Sequence, residues 1–142
     1  RIGVDFLLDE GRPTVTSQAS YPSDFYPAGI QYALGEGITG YVAQTGKIHV
    51  ATDLNSDTRR KYKPEEPSTV NDLRSTIALP LISEDSILGV IHLGLDTTYE
   101  FAEDEIHTLK QMCNILAEGF HRHRGQLIAA HSGHGNLRCP RF

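Results

Sequence analysis

GEGITGYV at residues 35–42, followed by RSTIALPLI at 74–82 and ILGVIHLGL at 87–95, decides the fold of this chain. The first piece predicts a glycine-rich turn leading into a short helix that a further glycine ends. The other two pieces predict β-strands, and the short polar turn between them forces antiparallel pairing. We expect this hairpin to form the floor of a cup, and the residues from the glycine turn to Arg74 to form its roof.

The remaining segments predict further strands and one long helix. Alternating apolar residues over 2–8, a turn, and a β-rich run over 14–20 predict a hairpin, whereas 21–33 is expected to be irregular. A short strand is expected at 47–50. An acidic first turn opens a helix whose dependable part we place at 103–124. Its apolar stripe suits either a sheet or a coiled-coil partner, and consists of Ile106, Leu109, Cys113, Leu116 and Phe120.

Length and composition favour one domain. The chain has 142 residues, of which 39% are hydrophobic, enough to bury a single core. We expect the domain to occupy 1–124 and a linker or disordered tail to occupy 125–142. No apolar run approaches the roughly 20 residues that span a bilayer, and the two cysteines form no disulfide framework, so a cytoplasmic location is expected. Because the chain opens at Arg1 and enters a strand almost at once, we interpret it as a fragment of a longer protein.

The charge distribution argues against nucleic acid and membrane surfaces as partners. All 18 acidic residues and nine of the 13 basic residues lie in 1–118, so most of the surface repels phosphate. The dense basic run in this part, Arg59-Arg60-Lys61 with Lys63, has two interpretations. It is either solvated loop charge or an attraction for phosphate or carboxylate groups.

Several short pieces occur together in a recognisable order. They are GEGITGYVA at 35–43 with TGK at 45–47, residues 50–53, Arg74-Ser75 before IALPLI, LGVIHL at 88–93, and residues 101–106. In this order and spacing the chain resembles the GAF domain, a sensory module of signalling proteins. The resemblance implies an α+β fold: an antiparallel sheet of five or six strands, a C-terminal helix on one face, and short helices and loops forming a ligand cup on the other.

The same resemblance implies partners and limits the chemistry. It implies an unidentified small-molecule ligand, a homodimer through the C-terminal helix, and a fused output domain such as a kinase, cyclase, phosphodiesterase or transcriptional activator. The family's usual helix before the first strand is absent here. The cyclic-nucleotide signature is incomplete, and the cysteines do not match those of the tetrapyrrole-binding or methionine-sulfoxide-reducing members. We therefore expect no cofactor and no catalytic activity.

The glycine turn also matches a dinucleotide-binding fingerprint, GxGxxG at 35–40. That fingerprint must follow an apolar strand and open a long helix within a parallel unit. Here Gly46 ends the helix early, so we favour a structural turn in which glycines supply positive φ and close packing.

Candidate ligand contacts follow from the predicted cup. His92 should point into it, where an imidazole can donate to an anionic ligand or coordinate haem iron, although a lone His is more often structural. Arg74 and Ser75 offer a guanidinium and a hydroxyl to a carboxylate or phosphate, unless Arg74 pairs with Asp53 or Asp72. The remaining candidates for the cup wall are Tyr41, Thr45, Asp53 and Tyr62.

A metal site is not expected. The histidines and the cysteine near the C-terminus lack a framework that would bring them together. They are His121, His123, His131, His134 and Cys139.

The sequence is compatible with two functions. The first is a non-enzymatic regulatory domain that binds a small polar or anionic molecule, with 63–72 as a lid, and relays binding through the terminal helix. The second is a dimerisation and relay module with no ligand.

Overall fold

The computed structural model describes the backbone of residues 2–131 and the side chains of residues 2–120. Within this part of the chain the strands are β1 (Ile2–Leu8), β2 (Thr14–Tyr21), β3 (Gln31–Ala33), β4 (His49–Ala51), β5 (Ser75–Ser83) and β6 (Ser86–Leu95). The helices are α1 (Gly37–Thr45), two single turns of 3-10 helix at Leu54–Ser56 and Ser68–Asp72, and α2 (Glu103–His131). The strands form one antiparallel sheet in the order β3-β2-β1-β6-β5-β4.

The β5–β6 hairpin sets the register of the central sheet. Glu84 and Asp85 in its turn have positive φ angles of 50° and 65°, the backbone twist that a two-residue hairpin loop needs. The resulting register pairs Ala78 with His92, and β1 adds Val4 on the other side of His92. A histidine is thereby held at the centre of the sheet.

The sheet carries a separate hydrophobic core on each face. On one face, which we call the cup face, apolar residues of β1, β5 and β6 pack under α1 and the loops, with Phe6, Val42, Ala78 and Val90 among those buried. On the opposite face, the helix face, α2 covers the strands. The residues packed there include Ile77, Leu79, Ile91, Leu93, Cys113 and Ala117.

The glycine turn fits its predicted structural role. A Cβ atom on Gly40 would lie 2.2 Å from the carbonyl oxygen of Ala33, so only glycine allows α1 to approach β3 this closely. Gly46 ends α1 in the left-handed conformation, with φ of 71°, and donates its N–H to the Val42 carbonyl. The helix has only nine residues and packs against an antiparallel sheet, whereas the dinucleotide fold needs a long helix within a parallel unit, so that fold is excluded.

The structure corrects two expectations about the elements and extends the last helix beyond its dependable part. The segment 21–33 is not wholly irregular, because it ends in the edge strand β3. The last helix continues beyond residue 124 to His131, so residues 125–131 are helical, and residues 132–142 lie outside the described part. Leu116 does not join the packed stripe, since Ala117 occupies that place on the helix face and Leu116 is 45% exposed.

No helix in the described part of the chain is both long and apolar enough to cross a membrane. The long α2 fails this requirement because charged and polar side chains interrupt its sequence.

Candidate functional site

A small cavity of about 70 Å³ lies on the cup face, beneath residues 52–74, which we call the covering segment. Its walls come from β1, β5 and β6 below, α1 at the side and the covering segment above. It is about half the size of the roughly 150 Å³ cavity that accommodates a benzene molecule. The lining residues are Ile2, Val4, Phe6, Phe25, Tyr26, Tyr32, Ile38, Thr39, Leu54, Arg60, Lys61, Tyr62, Glu66, Val70, Leu73, Thr76 and His92.

Aromatic side chains give the cavity a rigid wall. The Phe6 ring meets Tyr26 and Tyr32 edge to face, with centroid distances of 5.8 and 5.9 Å. All three rings are buried, and edge-to-face pairs of this kind add about 1 kcal/mol each beyond burial. Most of the lining is therefore apolar and held in place by packing.

His92 is the unusual polar group of this wall. Thr76 donates its hydroxyl proton to the Leu93 carbonyl at 2.8 Å, so its oxygen can only accept from His92, whose Nδ1 lies 3.4 Å away. The other ring nitrogen, Nε2, is shielded from solvent and has no hydrogen-bond partner among the described residues. Burial, with a smaller contribution from the charge of His49, lowers the pKa of His92 from 6.5 to about 4. The imidazole is therefore neutral at pH 7, with an unused acceptor.

Ion pairs and cation–π contacts tie the covering segment to the glycine turn and α1. Glu36 pairs with Lys61 and also with Lys63, the latter at 2.8 Å. The Arg59 guanidinium lies 3.7 Å above the Tyr41 ring. The basic run is thus largely engaged within the protein, which favours a structural interpretation over an anion-binding one.

Two tyrosines connect the cavity wall to the covering segment from below. Tyr26 donates its hydroxyl to the Glu66 carboxylate, and Tyr32 donates to the Lys61 carbonyl at 3.2 Å. Burial is the main cause that raises the pKa of both phenols above the ordinary value of 10, and the Glu66 charge adds to it. Both phenols therefore stay protonated and keep these hydrogen bonds across the whole neutral range.

The structure places two of the seven predicted ligand contacts, His92 and Tyr62, at the cavity. Ser75 lies elsewhere, since its hydroxyl donates to the Thr97 carbonyl at 2.7 Å, and its neighbour Thr76 faces the cavity instead. Arg74 is exposed and forms no ion pair among the described residues, so neither predicted pairing, with Asp53 or with Asp72, is present.

The other three predicted contacts have local structural roles. Asp53 accepts from the Asn55 N–H and caps the first 3-10 turn. Thr45 bonds the Tyr41 carbonyl at the end of α1, and Tyr41 lies beneath Arg59. None of the three lines the cavity.

Sequence reasoning missed several lining residues, above all Phe6, Tyr26, Tyr32, Thr39 and Thr76. Phe6 and Thr76 occupy cup-face positions on strands that were predicted, so the alternation of side chains could have identified them. Tyr26 and Tyr32 lie in the segment expected to be irregular, and no local pattern shows that they reach Phe6.

The predictions about cysteine reactivity and metal binding concern residues that are not among those lining the cavity. Cys113, the free cysteine among the described residues, packs on the helix face, and burial raises its pKa from 9.0 to about 11. The described residues contain no group of three or more potential metal ligands. The side chains of His121, His123, His131, His134 and Cys139 lie outside the described part.

Comparisons with known proteins agree with this architecture. The GAF domain from a phosphoenolpyruvate-protein phosphotransferase of Coxiella burnetii superposes with a TM-score of 0.73 at 19% identity, covering 87% of this chain and 73% of that one. The GAF domain of a two-component sensor histidine kinase from Bacillus halodurans gives 0.67 at 18%, covering 82% and 78%. The free methionine-R-sulfoxide reductase of Neisseria meningitidis, in complex with its substrate, gives 0.67 at 19%, covering 84% and 66%.

At these identities the structural similarities establish the fold alone. A sequence comparison with characterised proteins finds no match. The sequence profile of the GAF domain, however, matches residues 2–121, which is most of the chain. This chain therefore belongs to the GAF domain family.

Proposed function

We propose that this chain is the ligand-sensing domain of a cytoplasmic signal-transduction protein. A small polar molecule binds in the cavity, and binding is relayed through α2 to a fused output domain such as a sensor kinase, a cyclase or phosphodiesterase, or a transcriptional activator. GAF domains belong to sensory and regulatory proteins, and the domains from the sensor histidine kinase and the phosphotransferase share this fold.

One observation carries the proposal: the cavity wall contains a histidine nitrogen, Nε2 of His92, that no described residue satisfies. Leaving a buried acceptor unpaired costs roughly 1–3 kcal/mol. A fold that needed only a packed core would place an apolar residue there. A ligand that supplies the missing hydrogen bond recovers this free energy and thereby stabilises the ligand-bound state.

Strand β6 offers a direct route from the cavity to α2. Successive side chains of a strand point to opposite faces, so Ile91 and Leu93 flank His92 on the helix face. Both pack in the cluster that contains Phe101, Ile106 and Leu109 of the α2 region. A ligand that moves the His92 backbone therefore also moves the surface on which α2 lies, and shifts the helix equilibrium.

We propose a polar rather than an anionic ligand. The neutral His92 carries no positive charge for an anion, and Arg74, the other predicted anion contact, lies outside the cavity. The cations that do line it, Arg60 and Lys61, already bind the Val70 carbonyl and Glu36.

A binding role is favoured over an enzymatic one by the position of the thiol. The similar structures include free methionine-R-sulfoxide reductases. The cysteine in the described part of this chain lies on the helix face and is protonated at neutral pH, whereas the cavity lining contains no thiol. A thiol must ionise and reach its substrate to act as a nucleophile.

A thermal-shift screen of small metabolites tests the sensory role. We expect at least one compound to raise Tm of the wild-type protein, and this shift to be lost in His92→Phe, which keeps a ring of similar shape but has no nitrogen. Arg74→Ala is the matched control because that side chain is exposed and outside the cavity, and it should keep the full shift. Failure of every compound to raise Tm would reject the proposal.

A second candidate function is a dimerisation and relay module, and the surface of α2 favours it. Met112, Ile115 and Leu116 are 54%, 72% and 45% exposed, and they form an apolar strip that does not face the sheet. Their spacing of three and one residues places them on one side of a helix, where a second copy of the helix can pack. Sedimentation of Leu116→Asp tests this role: a monomer is expected for the variant and a ligand-independent dimer for the wild type. Equal association of both proteins would reject it.

A further inference from the structure

We infer that the cavity selects a small uncharged ligand that donates a hydrogen bond, an amide N–H or a hydroxyl, to Nε2 of His92, and that Thr76 positions this acceptor. The inference rests on the proposed sensory function and names the chemistry of its ligand. The donors and acceptors of the cavity wall determine this chemistry.

The hydroxyl groups with resolved partners in the wall have already given their protons to the protein. Thr76 donates to the Leu93 carbonyl, Tyr26 to the Glu66 carboxylate, and Tyr32 to the Lys61 carbonyl. What these oxygens can still offer a ligand is lone pairs. These three oxygens and Nε2 of His92 are therefore acceptors, and a ligand with a donor complements them.

Thr76 determines which nitrogen of His92 is the acceptor. A hydroxyl has one proton, and that of Thr76 points to Leu93 at 2.8 Å. The 3.4 Å contact with Nδ1 is then a hydrogen bond from the Nδ1–H of the imidazole to the hydroxyl oxygen. A neutral imidazole carries one N–H, so Nε2 is left as a bare acceptor. Thr76 acts through His92 and is a positioning residue.

The charged side chains in the lining form hydrogen bonds with protein groups. Lys61 pairs with Glu36, and Arg60 donates to the Val70 carbonyl. Glu66 accepts from the Tyr26 hydroxyl and from the Lys63 N–H at 2.6 Å. An ionic ligand would lose its hydration in a largely apolar cavity and would compete with these protein partners for the charged side chains, which is unfavourable. An uncharged ligand avoids this cost.

The size of the cavity limits the buried part of the ligand. A cavity about half as large as one that holds benzene accommodates a group of roughly three or four non-hydrogen atoms. Acetamide has this size and carries a donor. Three probes have the same planar shape with four non-hydrogen atoms. Acetone lacks the donor, acetate carries a negative charge, and acetamidinium carries a positive charge.

The first measurement is the tautomer of His92 in the free protein, from long-range ¹⁵N–¹H NMR correlations of the histidine ring. We expect the Nδ1–H tautomer in the wild type and a redistribution toward Nε2–H in Thr76→Val. Ser75→Ala is the matched control, because it removes the neighbouring hydroxyl, which bonds Thr97 instead of His92. A wild-type Nε2–H tautomer, or an unchanged tautomer in Thr76→Val, would overturn the inference.

The second measurement is titration of the wild-type protein with the four probes, followed by backbone and histidine NMR shifts. We expect acetamide to bind about tenfold more tightly than acetone, the size of one hydrogen bond, and more tightly than either ion. This preference should shrink in Thr76→Val and persist in Ser75→Ala. Equal or tighter binding of acetone, acetate or acetamidinium would overturn the ligand class and leave a small-molecule sensor standing. Binding of none of the four would overturn both the ligand class and the proposed pocket.

Discussion

Replacing Glu36 by Gln should loosen the covering segment without removing any other contact of that side chain. Glu36 holds Lys61 and Lys63 of the covering segment by ion pairs, and its Oε1 also accepts from the Ala33 N–H at 3.0 Å. Glutamine keeps a carbonyl oxygen for Ala33 but loses the charge. The variant therefore isolates the electrostatic part of the interaction between residue 36 and the covering segment.

The expected magnitude follows from the pKa of Glu36. Hydrogen bonds from Lys61 and then Lys63 lower that pKa from 4.5 to about 2, which sets a ceiling of about 3 kcal/mol on the stabilisation. The glutamate is 20% exposed and Lys61 is 52% exposed, so solvent screens much of this interaction. We expect Glu36→Gln to lower the free energy of unfolding by about 1 kcal/mol at pH 7 and low salt.

The pH dependence has a definite sign. A carboxylate with a depressed pKa stabilises the fold fully above the unfolded value near 4.5, and this contribution is lost as the pH falls toward about 2. Urea denaturation of both proteins at several pH values measures the difference, which should shrink below pH 4.5 and also in about 1 M salt. Glu65→Gln is the control, because that exposed carboxylate forms no ion pair in the described structure. If the two proteins had the same free energy of unfolding at pH 7, or if their difference did not depend on pH and salt, stabilisation by the ion pairs of Glu36 would be refuted.

Three further outcomes follow from the structure. Gly40→Ala should destabilise the protein by more than about 2 kcal/mol in urea denaturation, since its Cβ would lie 2.2 Å from the Ala33 carbonyl, and near wild-type stability would contradict this packing. Leu109→Asp should unfold the domain because it places a charge against the sheet, whereas Ile115→Asp should keep the fold by circular dichroism; equal effects would contradict the assigned faces of α2. NMR should show His92 titrating near pH 4 in the folded protein. Because this pKa is lowered from 6.5, stability should fall as the pH drops from 6.5 toward 4, and a titration near 6.5 would show the ring to be solvated.

The central hairpin and the terminal helix could be predicted because their patterns are local. Polar turn residues between two long apolar strands specify β5 and β6, and an acidic first turn with an apolar stripe specifies α2. Strand β3 was missed because three residues carry too little periodicity. The strand is formed by pairing with β2 and by burial of Tyr32, which are contacts distant in sequence.

The cavity lining was harder to predict, because a shift of one residue along a strand changes which side chain faces the cavity. Ser75 and Thr76 are both hydroxyl residues at the start of β5, and only Thr76 lies on the cup face. His92 was placed correctly because the apolar residues on either side of it fixed the phase of β6. The aromatic wall depends on loops that bring Tyr26 and Tyr32 to Phe6, and no short-range pattern records that approach.

A crystal structure determined under xenon pressure tests the central claim most directly, because xenon occupies small, largely apolar cavities. We predict a xenon atom beneath the covering segment, in contact with Phe6 and close to His92. A structure in which the tyrosine side chains fill this space, or in which xenon binds only between α2 and the sheet, would contradict a ligand cavity on the cup face.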